Sequence, residues 1–358
     1  MLPLEYLRFS FTDNGTMKTW LRYILWFTIG FTVVGLALGY GLWRGLSGSV
    51  YDGEETAYVY VRPDDTPASV QEQLIALGCG NTHLYWKVLN AVRPYVLRTG
   101  RYALKPGQSF LITYLRLKSG QQSPVMLTVP SVRSLKRLAG SLSHKLMLDS
   151  AEIVLNLSDS AYIAQYGYTS ATLPALFIPN TYEVYWDTSL DTFMQRMQRE
   201  NARFWEQNGR SQAAQALGMT REEVVTLASI VDEETANNDE KPRVAGLYLN
   251  RIRKGIHLQA DPTVKFAVGD ETLRRIRNEH LRIDHPYNTY IYKGLPPGPI
   301  RIASVASIDA VLHPELHNYL YMCAKEDFSG THNFAATFAE HKQNARRYQR
   351  ALNERNIR

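Results

Sequence analysis

Three consecutive carboxylates close one predicted helix. Thr220 to Thr235 reads TREEVVTLASIVDEET, and Thr220 followed three residues later by Glu223 is a capping box that starts a helix at Arg221. Val224, Leu227, Ala228 and Val231 recur at helical spacing and mark its buried face. At about 100° per residue, Glu234 falls roughly 70° from the centre of that stripe. Asp232 lies roughly 90° off on the other flank, and Glu233 falls on the polar side. Glu234 is therefore expected to look inward, by a small margin over Asp232. A carboxylate on an apolar face is costly unless paired, and the usual relief is a raised pKa. That is the property an acid needs to give up a proton near neutral pH. The competing expectation is a buried structural ion pair with a nearby arginine such as Arg243, and this helix alone does not choose between them.

Further polar groups follow. HLQADPTVKFAVG carries Gln259 and Asp261, and Asp261 before Pro262 reads as the cap of a short helix. Pro286-Tyr287-Asn288-Thr289-Tyr290 and Gly294-Leu295-Pro296-Pro297-Gly298 are rigid loops with aromatics and amides. A sugar ring stacks on such aromatics while amides bond its hydroxyls, although ordinary turns use the same residues. The basic run RRIRNEHLR at 274–282 reads most simply as a solvated face. No HExxH motif occurs, and Pro314 between His313 and His317 opposes a shared helical face, so neither metal nor cofactor is expected. A net charge of +6, without an arginine-rich run or a Gly-rich phosphate loop, does not suggest nucleic acid. The two cysteines, Cys79 and Cys323, are expected to be free and buried.

The elements that must position these groups form an α+β chain behind one membrane helix. Residues 23–43, YILWFTIGFTVVGLALGYGLW, carry no charge and span about 32 Å as a helix, enough for a bilayer core of ~30 Å. Trp20, Tyr23, Trp26, Tyr40 and Trp43 stand near the ends as interfacial anchors. Arg8, Lys18 and Arg22 precede the span and Asp52, Glu54 and Glu55 follow it, which predicts residues 1–22 in the cytoplasm and the remainder outside. A short linker is expected at 44–56. Residues 57–129 read as a small α+β module of strand, paired helices and strand, with a further helix at 109–119 and a strand at 125–129, similar to a LysM unit. From 130 to 358 the pattern is mainly helical, ending in a hairpin around Ser329-Gly330 and a charged helix.

Taken together, the chain resembles the MltG/YceG-like endolytic murein transglycosylases. The resemblance rests on ASIVDEET at 228–235, LQADPTV at 258–264, YNTY at 287–290, GLPPG at 294–298 and His332-x-Phe334, in that order. It implies that Glu234, at the second Glu of the family's Glu-Lys-Glu-Thr block, is catalytic. Asp232 and Glu233 stand where the family has Glu and Lys, Ala260 where Thr is common, Asn180 where Asp is common, and Ala335 where a polar residue often follows His-x-Phe. Candidate substrate-binding residues are Gln259, Asp261, Thr263, Tyr287, Asn288, Tyr290 and His332. The resemblance also implies a peptidoglycan substrate, action beside peptidoglycan synthases (penicillin-binding proteins) at the cytoplasmic membrane, and a mechanism with one carboxyl group. Two other readings stay open at this point: a two-carboxylate hydrolase using Asp232 or Asp261 as base, and an idle peptidoglycan-binding scaffold.

Overall fold

The structure is a computed structural model and describes residues 14–80, 83–92, 96–270, 273 and 275–355. Most of the expected cytoplasmic segment, and Arg274 of the basic run, lie outside the described residues. Two compact units part between Ser123 and Pro124.

The first unit begins with α1 (Asn14–Ser47). Among the described residues, its Lys18–Ser47 stretch is the one helix long and apolar enough to cross a membrane. Then come β1 (Ala57–Val61), α2 (Pro67–Ala76), α3 (His83–Val92), β2 (Gly100–Leu104) and α4 (Phe110–Ser119). Thr66 caps α2 ahead of Pro67, and Ser109 caps α4, so both helices start where the sequence places an oxygen acceptor. β1 and β2 pair antiparallel, with Val59 opposite Tyr102. Their inward faces meet Leu74, Trp86, Phe110, Tyr114 and Leu117. The expected linker is largely absorbed into this unit: α1 continues to Ser47, and Val50 and Tyr51 are buried in the core.

The second unit contains β3 (Val125–Val129), α5 (Leu135–Ser143), α6 (Ser150–Ser158), α7 (Ser160–Ala164), β4 (Asn180–Val184), α8 (Leu190–Glu206) and α9 (Arg210–Leu217). It continues with α10 (Arg221–Glu234), α11 (Lys241–Arg253), α12 (Asp261–Val268), α13 (Val305–Leu312), β5 (Tyr321–Ala324), β6 (His332–Ala335) and α14 (Phe338–Glu354). β3, expected to close the small module, instead pairs antiparallel with β4. Val125, Leu127 and Val129 all point inward and need a second apolar layer, which α5, α6 and α8 supply. Asn180 to Tyr182 thus begin a strand inside a stretch whose pattern reads as mainly helical. The hairpin β5–β6 forms as expected, with Ala324 opposite His332.

A second core surrounds α10, which packs on α11, α12 and α13. Every residue from Val224 to Val231 is buried, not only the predicted stripe. The two hydroxyls in that run return to the helix itself, Thr226 to the Glu222 carbonyl and Ser229 to the Thr226 carbonyl. That removes the cost of burying them. The capping box is present as predicted, with Thr220 and Glu223 each bonding the other's backbone N–H.

Candidate active site

α10 delivers Glu234 as its last residue, at the edge of the core where a cleft of about 360 Å³ opens. The Tyr248 phenol on α11 donates a 2.6 Å hydrogen bond to Glu234 Oε1. Arg243, the expected ion-pair partner, pairs with Glu315 instead. Burial pushes the Glu234 carboxyl up to about 7, and the charges of Asp261 and Glu233 push the same way. The Tyr248 hydrogen bond and the nearby His332 act against this rise. Glu234 keeps part of its surface open to the cleft, so a ligand can reach the proton that this environment retains.

The two neighbouring carboxylates are committed elsewhere. Asp232 accepts from the Ser304 N–H at 2.6 Å, the Ser304 hydroxyl at 2.7 Å, the Ser307 hydroxyl and Lys241 Nζ at 2.9 Å. Burial alone would raise its pKa, but these donors outweigh burial and hold it below the ordinary value. Glu233, expected on the polar side, is clamped between Arg133 at 2.7 Å and Arg301 at 2.8 Å. Of the three, only Glu234 faces the cleft.

The opposite wall is built from α11, α12 and the hairpin. Arg251 Nη2 donates to Gln259 Oε1 at 2.6 Å while its other nitrogens hold the His257 and Leu320 carbonyls. The Gln259 oxygen is thus occupied, and the residue lines the cleft. Gln259 sits at φ +50, a left-handed conformation that costs a non-glycine residue on the order of 1 kcal/mol. Asp261 does not cap its helix: Ala260 occupies the cap position and makes no side-chain bond there. Asp261 instead accepts from the Tyr290 phenol at 2.6 Å and lines the cleft with it. His332, from β6, also borders the cleft. Its Nδ1 lies 2.9 Å from Glu240 Oε2, and its backbone N–H donates to Glu240 Oε1 at 2.7 Å.

Three sequence candidates are not at the cleft. The Thr263 hydroxyl is fully buried between the Ala260 carbonyl and Thr289 Oγ1. Asn288 is equally buried: its amide donates to the Leu281 and Ile283 carbonyls and its oxygen accepts from the Tyr290 N–H. Tyr287 packs on Phe266 with ring centroids 4.6 Å apart. These residues tie the Tyr290 loop to the Gln259 segment, where the Gln259 N–H donates to the Thr289 carbonyl. They shape the site without lining the cleft. The Gly294–Gly298 loop is likewise structural, since a Cβ on Gly298 would stand 2.0 Å from the Ala171 carbonyl oxygen.

Residues 59–347 match the YceG-like family. The chain belongs to that family. An endolytic murein transglycosylase of Bacillus subtilis is 28% identical over 274 residues, which cover 72% of this chain and 75% of that protein. One from Streptococcus pneumoniae strain R6 is 24% identical over 261 residues, covering 64% of this chain and 46% of that longer relative. The crystal structure of a YceG-like protein from Listeria monocytogenes matches with a TM-score of 0.55 at 24% identity, covering 81% of this chain and 99% of that one, and shows the shared fold.

Sequence reading of this YceG-like chain missed Tyr248, Arg251 and Glu240 as site residues. Tyr248 and Arg251 stand three apart on α11 and share a face, a spacing visible in the sequence but indistinguishable there from ordinary core. Glu240 left no local signal, because its partner His332 lies 92 residues away. Cys323, expected to be buried, is half-buried at the cleft wall.

Proposed function

We propose that this YceG-like protein is a membrane-anchored endolytic murein transglycosylase, cutting the β-1,4 bond between MurNAc and GlcNAc and leaving 1,6-anhydroMurNAc ends. The observation that carries the reading is Glu234, one partly open glutamic acid raised to about 7 at the floor of a polar cleft. Protonated, it gives its proton to the glycosidic oxygen as the C1–O bond breaks. As carboxylate, steadied by the Tyr248 phenol, it takes the proton of the C6 hydroxyl of the same MurNAc, which closes on C1. No water is consumed, and the intramolecular nucleophile replaces an activated water by its high effective concentration. A pKa near 7 suits both half-steps. The Gln259 amide and the His332 edge are placed to bond sugar or N-acetyl oxygens, and the Asp261 carboxylate to face the positive charge that develops at C1.

The hydrolytic reading has one specific support: Asp261 shares the cleft with Glu234 and influences its protonation. It differs by predicting water at C1. An idle scaffold would have no use for an acid kept protonated at an open cleft. Charge around α1 favours an N-terminus in the cytoplasm and a catalytic unit on the outer side of the cytoplasmic membrane, where nascent glycan strands and their synthases meet. The direct test is strand length after incubation of uncrosslinked glycan with the full-length protein. The wild type shortens the strands, and Glu234→Gln slows this by on the order of a hundredfold or more. Equal shortening by the variant would refute the assignment.

A further inference from the structure

The end of α1 is clasped by the first unit rather than joined to it by a free linker. Tyr85 of α3 lies so close to Gly45 that a Cβ there would stand 2.0 Å from its phenol oxygen. The Phe110 N–H at the start of α4 donates to the Gly48 carbonyl, and Ser49 bridges Ser109. Leu46 packs against the core of the unit. The side chains flanking these contacts are apolar and exposed. Leu84, next to Tyr85, is 64% exposed, and Leu111, Ile112 and Leu115 on α4 are 37%, 50% and 46% exposed. Positions 111, 112 and 115 share one helical face, while Phe110, Thr113, Tyr114 and Leu117 fill the opposite, buried face.

The first unit is rich in exposed apolar residues beyond α1, and Leu84, Leu111, Ile112 and Leu115 are half of them. Among the described residues, eight large ones lie between Gly48 and Ser123, against nine in the whole second unit, which is about three times as long. The concentration starts where the apolar surface of α1 stops, and Trp43 and Arg44 at the end of α1, with Lys87 on α3, add the exposed aromatic and basic groups of a membrane interface. A helix face meant for water carries polar residues at such positions.

We propose that α3 and the first turns of α4 form a membrane-resting surface. Leu84, Leu111, Ile112 and Leu115 enter the boundary between headgroups and acyl chains in the leaflet from which α1 emerges. The inference rests on α1 being a membrane span, and on nothing about the reaction. Its consequence is positional: the first unit is seated on the bilayer at a fixed height instead of swinging from it.

The test uses full-length protein in phosphatidylcholine–phosphatidylglycerol vesicles, with Cys323→Ala and the buried Cys79 retained. An environment-sensitive fluorophore is placed on Ile112→Cys, on Leu36→Cys within α1, or on Leu155→Cys in the second unit. Quenching is read with spin-labelled lipids and with aqueous iodide. The expected result is lipid quenching at positions 36 and 112, and iodide quenching at 112 several-fold (about threefold or more) weaker than at 155, as for an interfacial helix. In a Leu111→Asp, Leu115→Asp background, the position 112 label should regain iodide access while position 36 is unchanged. Lipid quenching at 36 with full iodide access at 112 would overturn the proposal and leave the patch as a protein-docking face. Absence of lipid quenching at 36 would overturn the membrane span itself, and the seat with it.

Discussion

Replacing Glu234 by Gln should stabilise the second unit at pH 8 and leave it nearly unchanged at pH 4. The ordinary carboxyl value of 4.5 is raised to about 7 in the folded chain, mainly by burial. Between those values the folded state binds more protons than the unfolded state, so stability falls as pH rises through the window. The deficit is complete above pH 7. The rise from 4.5 to about 7 corresponds to roughly 3 kcal/mol, and the surface Glu234 keeps open to the cleft reduces this to about 2 kcal/mol through solvent screening. Glutamine is close in shape, keeps an oxygen for the Tyr248 phenol and carries no charge to bury. For a unit of this size, ~2 kcal/mol is about 4–8 °C in Tm. Scanning calorimetry of both proteins at pH 4 and pH 8 reads the difference directly, because every other titrating group is common to both. An equal difference at the two pH values, or a lower Tm for the variant at pH 8, would refute the claim that Glu234 is held protonated by its surroundings.

Tyr248→Phe removes the donor that favours charged Glu234, so the limb of kcat/KM that falls as pH rises past about 7 should move upward by about one unit. An unmoved limb would separate that fall from Glu234. Gln259→Gly relaxes the φ +50 backbone, worth ~1 kcal/mol, but strips the buried Arg251 guanidinium of its Gln259 acceptor, which costs about 1.5–3 kcal/mol, so Tm should fall by a few degrees. It also removes the amide, so KM for glycan should rise, and an unchanged KM would show that Gln259 makes no substrate contact. Glu240→Gln withdraws the carboxylate that orients His332, and kcat/KM should fall on the order of tenfold with Tm little altered. A parallel collapse in Tm would make that pair structural only.

The local part of this design is legible in the sequence. Thr220 and Glu223 announce the start of α10, and the spacing of Val224, Leu227 and Val231 marks its buried face, at the end of which the structure sets Glu234 against the cleft. Periodicity gave Asp232 almost the same standing, and it failed there because the deciding partners are distant: Ser304 and Ser307 lie 72 and 75 residues downstream. Only tertiary folding tells a carboxylate seated among donors from one left with a single phenol. The same limit explains β3, whose alternating pattern announces a strand but not that β4 completes it. Around YNTY the residue types suggested a sugar-lining loop, yet the Asn288 amide is consumed by the Leu281 and Ile283 carbonyls, and only Tyr290 emerges into the cleft. Family blocks therefore mark the neighbourhood of the site, while hydrogen-bond satisfaction decides which member of each block meets the ligand.

The most direct test of a single-carboxyl mechanism at Glu234 is mass spectrometry of the glycan ends released in ¹⁸O-labelled water, with wild-type protein and with Glu234→Gln. Anhydro ends, lighter by one water and free of label, produced by the wild type and absent with the variant, are the predicted result. Reducing ends carrying the label would contradict it, and would make Asp261 the second carboxylate of a hydrolase.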